Sequence, residues 1–345
     1  MGAEEHKEEA VALDQGAARR NVIKIIERSA RAQEDEVSLR AVAEDRPSAS
    51  VERTPRAIAV GVAAVLVGGA LWGANGSVSK ILMEGYGITP LWLACVRELG
   101  AGVLFLLCAA VRSPDALRAA CASVREWPRY VWTALTCVTL VQVAYLFSIR
   151  WTNAGTATVL QTVSLLMVLA YVCVRGRRHP STREVVGVAM AFIGVWLIAT
   201  GGHVTSLALP LPGLLWGLTD AFSCACLAII PVALIAKYGN FVVNGITFLL
   251  SGIILLPFVR PWESAPSLDA RGWGLLAFTV VMGTFVAFWL YMAGVMRVGP
   301  MRATMLGTIE PVMATITAVA WTGAVFVAAD LLGFALIILM SFLVR

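Results

Sequence analysis

Histidine is scarce in this chain, 3 residues in 345, and His6, His179 and His203 all fall in polar stretches between or before apolar runs. No His-Glu-x-x-His or Gly-x-Ser-x-Gly pattern occurs. Neither a zinc-hydrolase helix nor a serine-nucleophile elbow can therefore be assembled, and no enzyme is expected. Gly-x-x-x-x-Gly-Lys-Ser/Thr is absent as well, which removes the phosphate-cradling loop of an ATP-driven machine. The seven cysteines (95, 108, 121, 137, 173, 224 and 226) contain no Cys-x-x-Cys pair and sit mostly inside apolar runs. They read as small buried hydrophobes rather than disulfides or metal ligands. No cofactor is implied.

Charge is also in short supply, at 14% of residues against 59% hydrophobic. That is membrane composition. What charge there is lies unevenly. Residues 1–56 hold 12 Asp and Glu and 10 Lys and Arg, leaving 10 acids and 17 bases over the remaining 289 residues. An acidic tail therefore precedes a basic membrane body, whose bases suit lipid headgroups and topology control rather than nucleic acid. The tail, 1–56, has no apolar run of signal-peptide length. Val22, Ile23, Ile25, Ile26 and Ala30 can form a helical stripe that lies on a membrane surface; a loosely ordered cytosolic tail is the other reading.

From Ala57 onward ten apolar segments follow, at about 57–82, 90–111, 129–149, 156–174, 184–200, 212–235, 241–258, 272–295, 303–322 and 325–344. Each approaches the ~20 residues that cross a bilayer. With the tail in the cytosol, the cytosolic loops carry eleven bases (among them Arg112, Arg175, Arg183 and Lys237) and the opposite loops three, Arg150, Arg260 and Arg271. The positive-inside rule then puts both termini in the cytosol of a multi-pass plasma-membrane protein.

The sequence repeats itself. Gly69-Ala-Leu-Trp-Gly73 returns as Gly213-Leu-Leu-Trp-Gly217, 144 residues on. Tyr145, Ala157, Thr158, Leu160 and Thr162 return as Tyr291, Ala303, Thr304, Leu306 and Thr308, and Glu184, Gly187 and Ala189 as Asp330, Gly333 and Ala335, all displaced by 146. Five spans per copy is an odd number, so the second copy enters the membrane inverted. The expected fold is an all-α integral membrane protein of ten transmembrane helices in two inverted five-helix repeats, 57–205 and 206–345. Such repeats build many secondary carriers, with the site at the repeat interface near the midplane.

Trp72-Gly73, then Lys80, Arg97 and Glu310-Pro311 in this order resemble the EamA-type carriers of the drug/metabolite transporter superfamily, over about 57–344. The resemblance implies carriers of small metabolites, often exporters, with a central cavity between the halves. Two departures stand out. Leu165 occupies a position where the family often has proline. The fourth and ninth segments end in Arg175-Gly176-Arg177 and Trp321-Thr322-Gly323-Ala324 instead of the frequent Gly-Glu pair.

Features kept in both repeats are scaffold on the simplest reading: Gly73 and Gly217, Gly187 and Gly333 permit close helix approach. Charges present in one repeat only need another reason. Aligning Leu99, Gly102 and Leu106 with Leu249, Gly252 and Leu256 sets Arg97 opposite Thr247, Glu310 opposite Ser164 and Asp220 opposite Gly76. Asp220 and Glu310 both stand about 12 Å deep along their helices, and Arg97 about 10 Å. Intramembrane charges of this kind mark pathways. For Arg97 a structural ion pair is the alternative. Pro311 removes an N–H that would bond the carbonyl of Gly307, so a helix break is expected beside Glu310. Lys80 reads as snorkelling to the interface or as ligand-binding. Gln142 and Gln161 read as interhelical glue or cavity lining. Trp72, Tyr145, Trp216, Trp289 and Tyr291 offer an aromatic wall or ordinary packing. The expected guest is a small organic metabolite, amino-acid-like or a drug, moved by alternating access. Arg97 would meet a carboxylate, Asp220 or Glu310 an amine, and protons would couple through Glu310. An uncoupled facilitator, a channel or a lipid scramblase is the other reading.

Overall fold

Short polar caps and prolines set where each helix of the chain begins. The computed structural model describes residues 55–177, 179–203, 208–263 and 265–343; the tail expected over 1–56, with its amphipathic stripe, lies almost wholly outside them. Helix α1, Pro55–Gly85, runs 31 residues without interruption. Thr89 caps α2, Pro90–Arg112, its side chain accepting from the Trp92 amide, with Pro90 in the first turn where a missing N–H costs nothing. A connecting helix α3, Pro114–Ala122, precedes α4, Val124–Trp151. Asn153 caps α5, Ala154–Arg175. Ser181 and Glu184 form a reciprocal capping box on α6, Thr182–Thr200, which ends at Gly201 in the left-handed conformation.

The second half repeats the plan. It comprises α7, Leu211–Ile229, a short α8, Val232–Tyr238, then α9, Asn240–Val259, and α10, Ala270–Val298. Next come α11, Pro300–Gly307, α12, Ile309–Thr322, and α13, Ala328–Leu343. Among the described residues eight helices are long and apolar enough to cross a membrane. The ninth expected segment is instead broken at Thr308, and the tenth is a 16-residue helix.

That break explains itself only in part through proline. Pro311 falls in the first turn of α12, where its absent N–H has no partner to lose. The equivalent helix α5 breaks as well, at Thr162 and Val163, with tightened bonds from Val163 to Leu160 and from Leu166 to Val163. Leu165 stands there in place of proline. The break therefore belongs to the repeat and not to Pro311 alone. A second shared irregularity is a π-helical stretch in α4, Ala134–Thr139, matched at the 146-residue displacement by one in α10, Phe278–Val286. Such bulges re-aim side chains and concentrate at functional places.

Packing follows the repeat. Helix α2 lies along α9 and α6 along α13; α1 packs on α10 and α12, and its counterpart α7 packs on α4 and α5. The α2–α9 contact is reciprocal: a Cβ at Gly102 would meet the backbone N of Leu249 at 2.6 Å, and one at Gly252 would meet Leu99 Cγ at 2.6 Å. Because Leu99 and Gly102 align with Leu249 and Gly252, each helix offers the other the same face, as an isologous two-fold contact requires. The rising numbers on one side meet falling numbers on the other, so the two helices run antiparallel, as inverted repeats must.

One pair breaks the symmetry. Helices α1 and α12 run side by side in constant register, Gly69 against Ile309, Gly73 against Ala314, and Ser77 bonded to Thr317 at 2.9 Å. In the equivalent pair Gly217 meets Leu160 rather than Met167, the residue aligned with Met313, about two helical turns away.

Candidate functional site

Between the two halves lies a cavity of about 420 Å³. Helices from both repeats wall it: Trp72 and Asn75 of α1, Arg97 of α2, Gln142 and Tyr145 of α4, Gln161 of α5, Cys224 of α7, Thr284 and Phe288 of α10, and Glu310 of α12. A lobe of about 190 Å³ adjoins it, sharing Trp72, Gln161, Cys224 and Glu310, and adding Tyr291, Gly307, Thr308 and Pro311. The helix break thus lines the lobe directly, and Glu310, half-buried, stands where the two spaces meet.

Arg97 is 6% exposed. Its Nε donates to Thr284 Oγ1 at 2.8 Å, in the π-helical stretch of α10, while Nη1 has no hydrogen-bond partner among the described residues. A guanidinium so fixed keeps an unspent donor at the cavity. Among the described residues a hydroxyl holds it, not the ion pair of the alternative reading.

Asp220 is fully buried and stands one side chain back from the cavity. Gln161 Nε2 donates to Cys224 Sγ at 3.0 Å, Cys224 donates to Asp220 Oδ1 at 3.8 Å, and Oδ2 has no partner among the described residues. Asp220 and Glu310 lie close enough for each to feel the other's charge. Tyr145, bonded through its hydroxyl to Thr158 at 2.8 Å, sits in the field of Glu310, Asp220 and Arg97 together. Trp72 tilts against Tyr291 with ring centroids 5.0 Å apart, giving an aromatic wall beside Glu310.

Three expected residues are not at this site. The Lys80 ammonium does not line the cavity; it donates to the carbonyls of Ile149, Arg150 and Thr152 at 3.0, 3.1 and 3.0 Å and pairs with the exposed Glu84 at 2.8 Å. It closes the C-terminus of α4. Trp216 stacks on Phe147 at 4.8 Å, and Trp289 is 37% exposed with the Arg112 guanidinium over its ring. Conversely, the cavity contains polar residues that attention to charge alone passes over. Asn75, Thr284 and Asn244 line it, and they align with Thr219, Val138 and Ala94. Their difference between repeats is the same signal that picked out Arg97, applied to uncharged side chains.

A bundle of apolar helices around a central cavity of mixed polar and apolar lining, built by two copies of one plan, defines a multi-pass membrane transporter in architecture. The chain matches the EamA-like transporter family twice, over residues 59–200 and 211–345, and belongs to it. It is 30% identical over 280 residues, 81% of this chain and 92% of the relative, to a Salmonella typhimurium protein named an uncharacterized inner membrane transporter, YicL. It is 24% identical over 278 residues, 80% of this chain and 90% of the relative, to an uncharacterized transporter of Bacillus subtilis, YwfM. A solved crystal structure shares the fold with a TM-score of 0.56 at 18% identity, covering 84% of this chain and 96% of that one.

Proposed function

We propose that this transporter is a secondary-active carrier in the cytoplasmic membrane, with ten crossings and both termini in the cytosol. It exports a small organic zwitterion, amino-acid-like in having a carboxylate and an amine, by alternating access. The observation that carries the reading is a pair of buried polar atoms without partners among the described residues, Arg97 Nη1 at the cavity and Asp220 Oδ2 just behind it. An unpaired buried guanidinium is costly, and a guest carboxylate relieves it, the guest's amine turning to the acidic side of the cavity, Glu310 with Asp220 behind. Trp72, Tyr145 and Tyr291 give its apolar part a wall, and about 420 Å³ admits a molecule of metabolite size. Glu310, at the junction of cavity and lobe, is the proposed coupling carboxylate: it binds a proton in one access state and releases it in the other.

Counterflow in vesicles holding the purified protein tests the reading. Saturable exchange is expected for zwitterions, and Arg97→Gln is expected to weaken apparent affinity for carboxylate-bearing substrates about 10- to 100-fold, the worth of a charged hydrogen bond. Neutral and cationic analogues should change little. Uniform loss across all substrates would make Arg97 structural, and linear unsaturated flux would mean a pore or scramblase.

A further inference from the structure

Glu98 takes no part in the cavity. It is fully buried on α2, one residue beyond Arg97, and turned to α4 and α9. Its Oε2 lies 2.5 Å from Ser251 Oγ, which lies 2.5 Å from Thr139 Oγ1, which donates to the carbonyl oxygen of Ala134 at 3.0 Å. Oε1 has no partner among the described residues.

Hydrogens can be counted along this row. It has three oxygen-to-oxygen links and ends on a carbonyl, which only accepts. Ser251 and Thr139 bring one hydrogen each. If Glu98 were ionised, Ser251 would donate to it and Thr139 to Ser251, leaving Thr139 and Ala134 facing each other as two acceptors. If the carboxyl holds a proton, every link has one: Glu98 donates to Ser251, Ser251 to Thr139, Thr139 to Ala134. Ionisable groups facing Glu98 are Arg97 and Cys95 of its own helix; from α4 and α9 it meets the hydroxyls of Thr139 and Ser251. Arg97 spends its Nε on Thr284 of α10 instead.

We infer that Glu98 is a proton-binding site, a carboxylic acid in this conformation. Its hydrogen-bond row spans the two repeats, since Glu98 and Thr139 belong to the first and Ser251 to the second. In an access state that lets water reach the carboxyl, the row is interrupted and the proton leaves to that water. The last step rests on the carrier reading above; the protonated acid does not.

Infrared difference spectra of the purified protein, wild type against Glu98→Gln in H₂O and D₂O at neutral pH, test the acid directly. The carbonyl stretch of a protonated carboxyl is expected in wild type, absent from the variant, and shifted by Ser251→Ala, which removes its acceptor. The Ser251→Ala shift serves if the first variant fails to fold. No carboxylic-acid band lost in Glu98→Gln and none shifted in Ser251→Ala overturns the proposal. In vesicles, accumulation driven by a pH gradient is expected to fall in Glu98→Gln to the level reached without a gradient; a wild-type response overturns the link to transport. Wild-type vesicles without saturable flux would strike the carrier reading instead, and leave the band, which needs no substrate.

Discussion

The ammonium of Lys80 lies 3.0 Å from the carbonyl oxygen of Ile149, so a cation in the first membrane helix closes the end of the third. Two further carbonyls, of Arg150 and Thr152, share it. The last carbonyls of a helix have no partner within it and carry its negative dipole end, which is where a buried cation is best placed.

Lys80→Met is therefore expected to destabilise the fold by roughly 1.5–3 kcal/mol, the usual worth of hydrogen bonds to a charged group. Substrate affinity in the protein that remains folded should hold. Thermal unfolding read beside ligand binding checks this; a shift in affinity with unchanged melting would move Lys80 into the site.

Gly73 seats α1 on the turn that carries Glu310. A Cβ there would meet the backbone N of Ala314 at 2.7 Å, and backbone cannot swing aside as a side chain would. Gly73→Ala is expected to cost about 1–3 kcal/mol through overpacking and to displace Glu310. Gly85→Ala, with nothing within 4 Å, is the matched control. Equal melting temperatures for the two variants would refute the close contact.

Glu310→Gln mimics the protonated acid. The ratio of pH-driven accumulation to exchange at equal concentrations is expected to collapse to the value found without a gradient. Retention of a normal pH dependence would pass the coupling role to Asp220, which the Asp220→Asn variant then tests in the same assay.

Orientation is checked by labelling. His203 and His179 are both exposed, in loops expected on opposite faces. In a Cys121→Ser background, which removes the exposed native thiol, His203→Cys should react with an impermeant thiol reagent in intact cells. His179→Cys should react only after lysis, and it leaves the Ser181 capping box untouched. Equal labelling from outside would reject the inverted orientation.

Much of this arrangement was legible in the chain because membranes simplify the code. Apolar runs and the 144- and 146-residue repeats found the helices, and attention to unshared charges led to Arg97 and Glu310, which line the cavity. Aromatic residues resisted the same treatment. Trp216 and Trp289 have the composition of a binding wall, but which face of a helix looks inward depends on its neighbours, and apolar residues all round leave that face unmarked. The carbonyl partners of Lys80 were hidden for a related reason: the end of α4 comes within its reach only through packing. Glu98 stood out in no sequence pattern, because Ser251, 153 residues away, meets it only through the packing of α9 on α2.

Under the proposed alternating access, the unequal registers of α1 with α12 and of α7 with α5 belong to one of two shapes, the other being the one in which the halves trade roles. The balance between them cannot come from residues that the repeats share, since those cancel in the exchange. It resides in the mismatched pairs, Ser77 with Thr317 bonded on one side and their counterparts Ala221 and Tyr171, which lack that pair of hydroxyls, on the other. Substitutions at these four positions would act as weights on a scale, tilting the resting shape without touching the cavity.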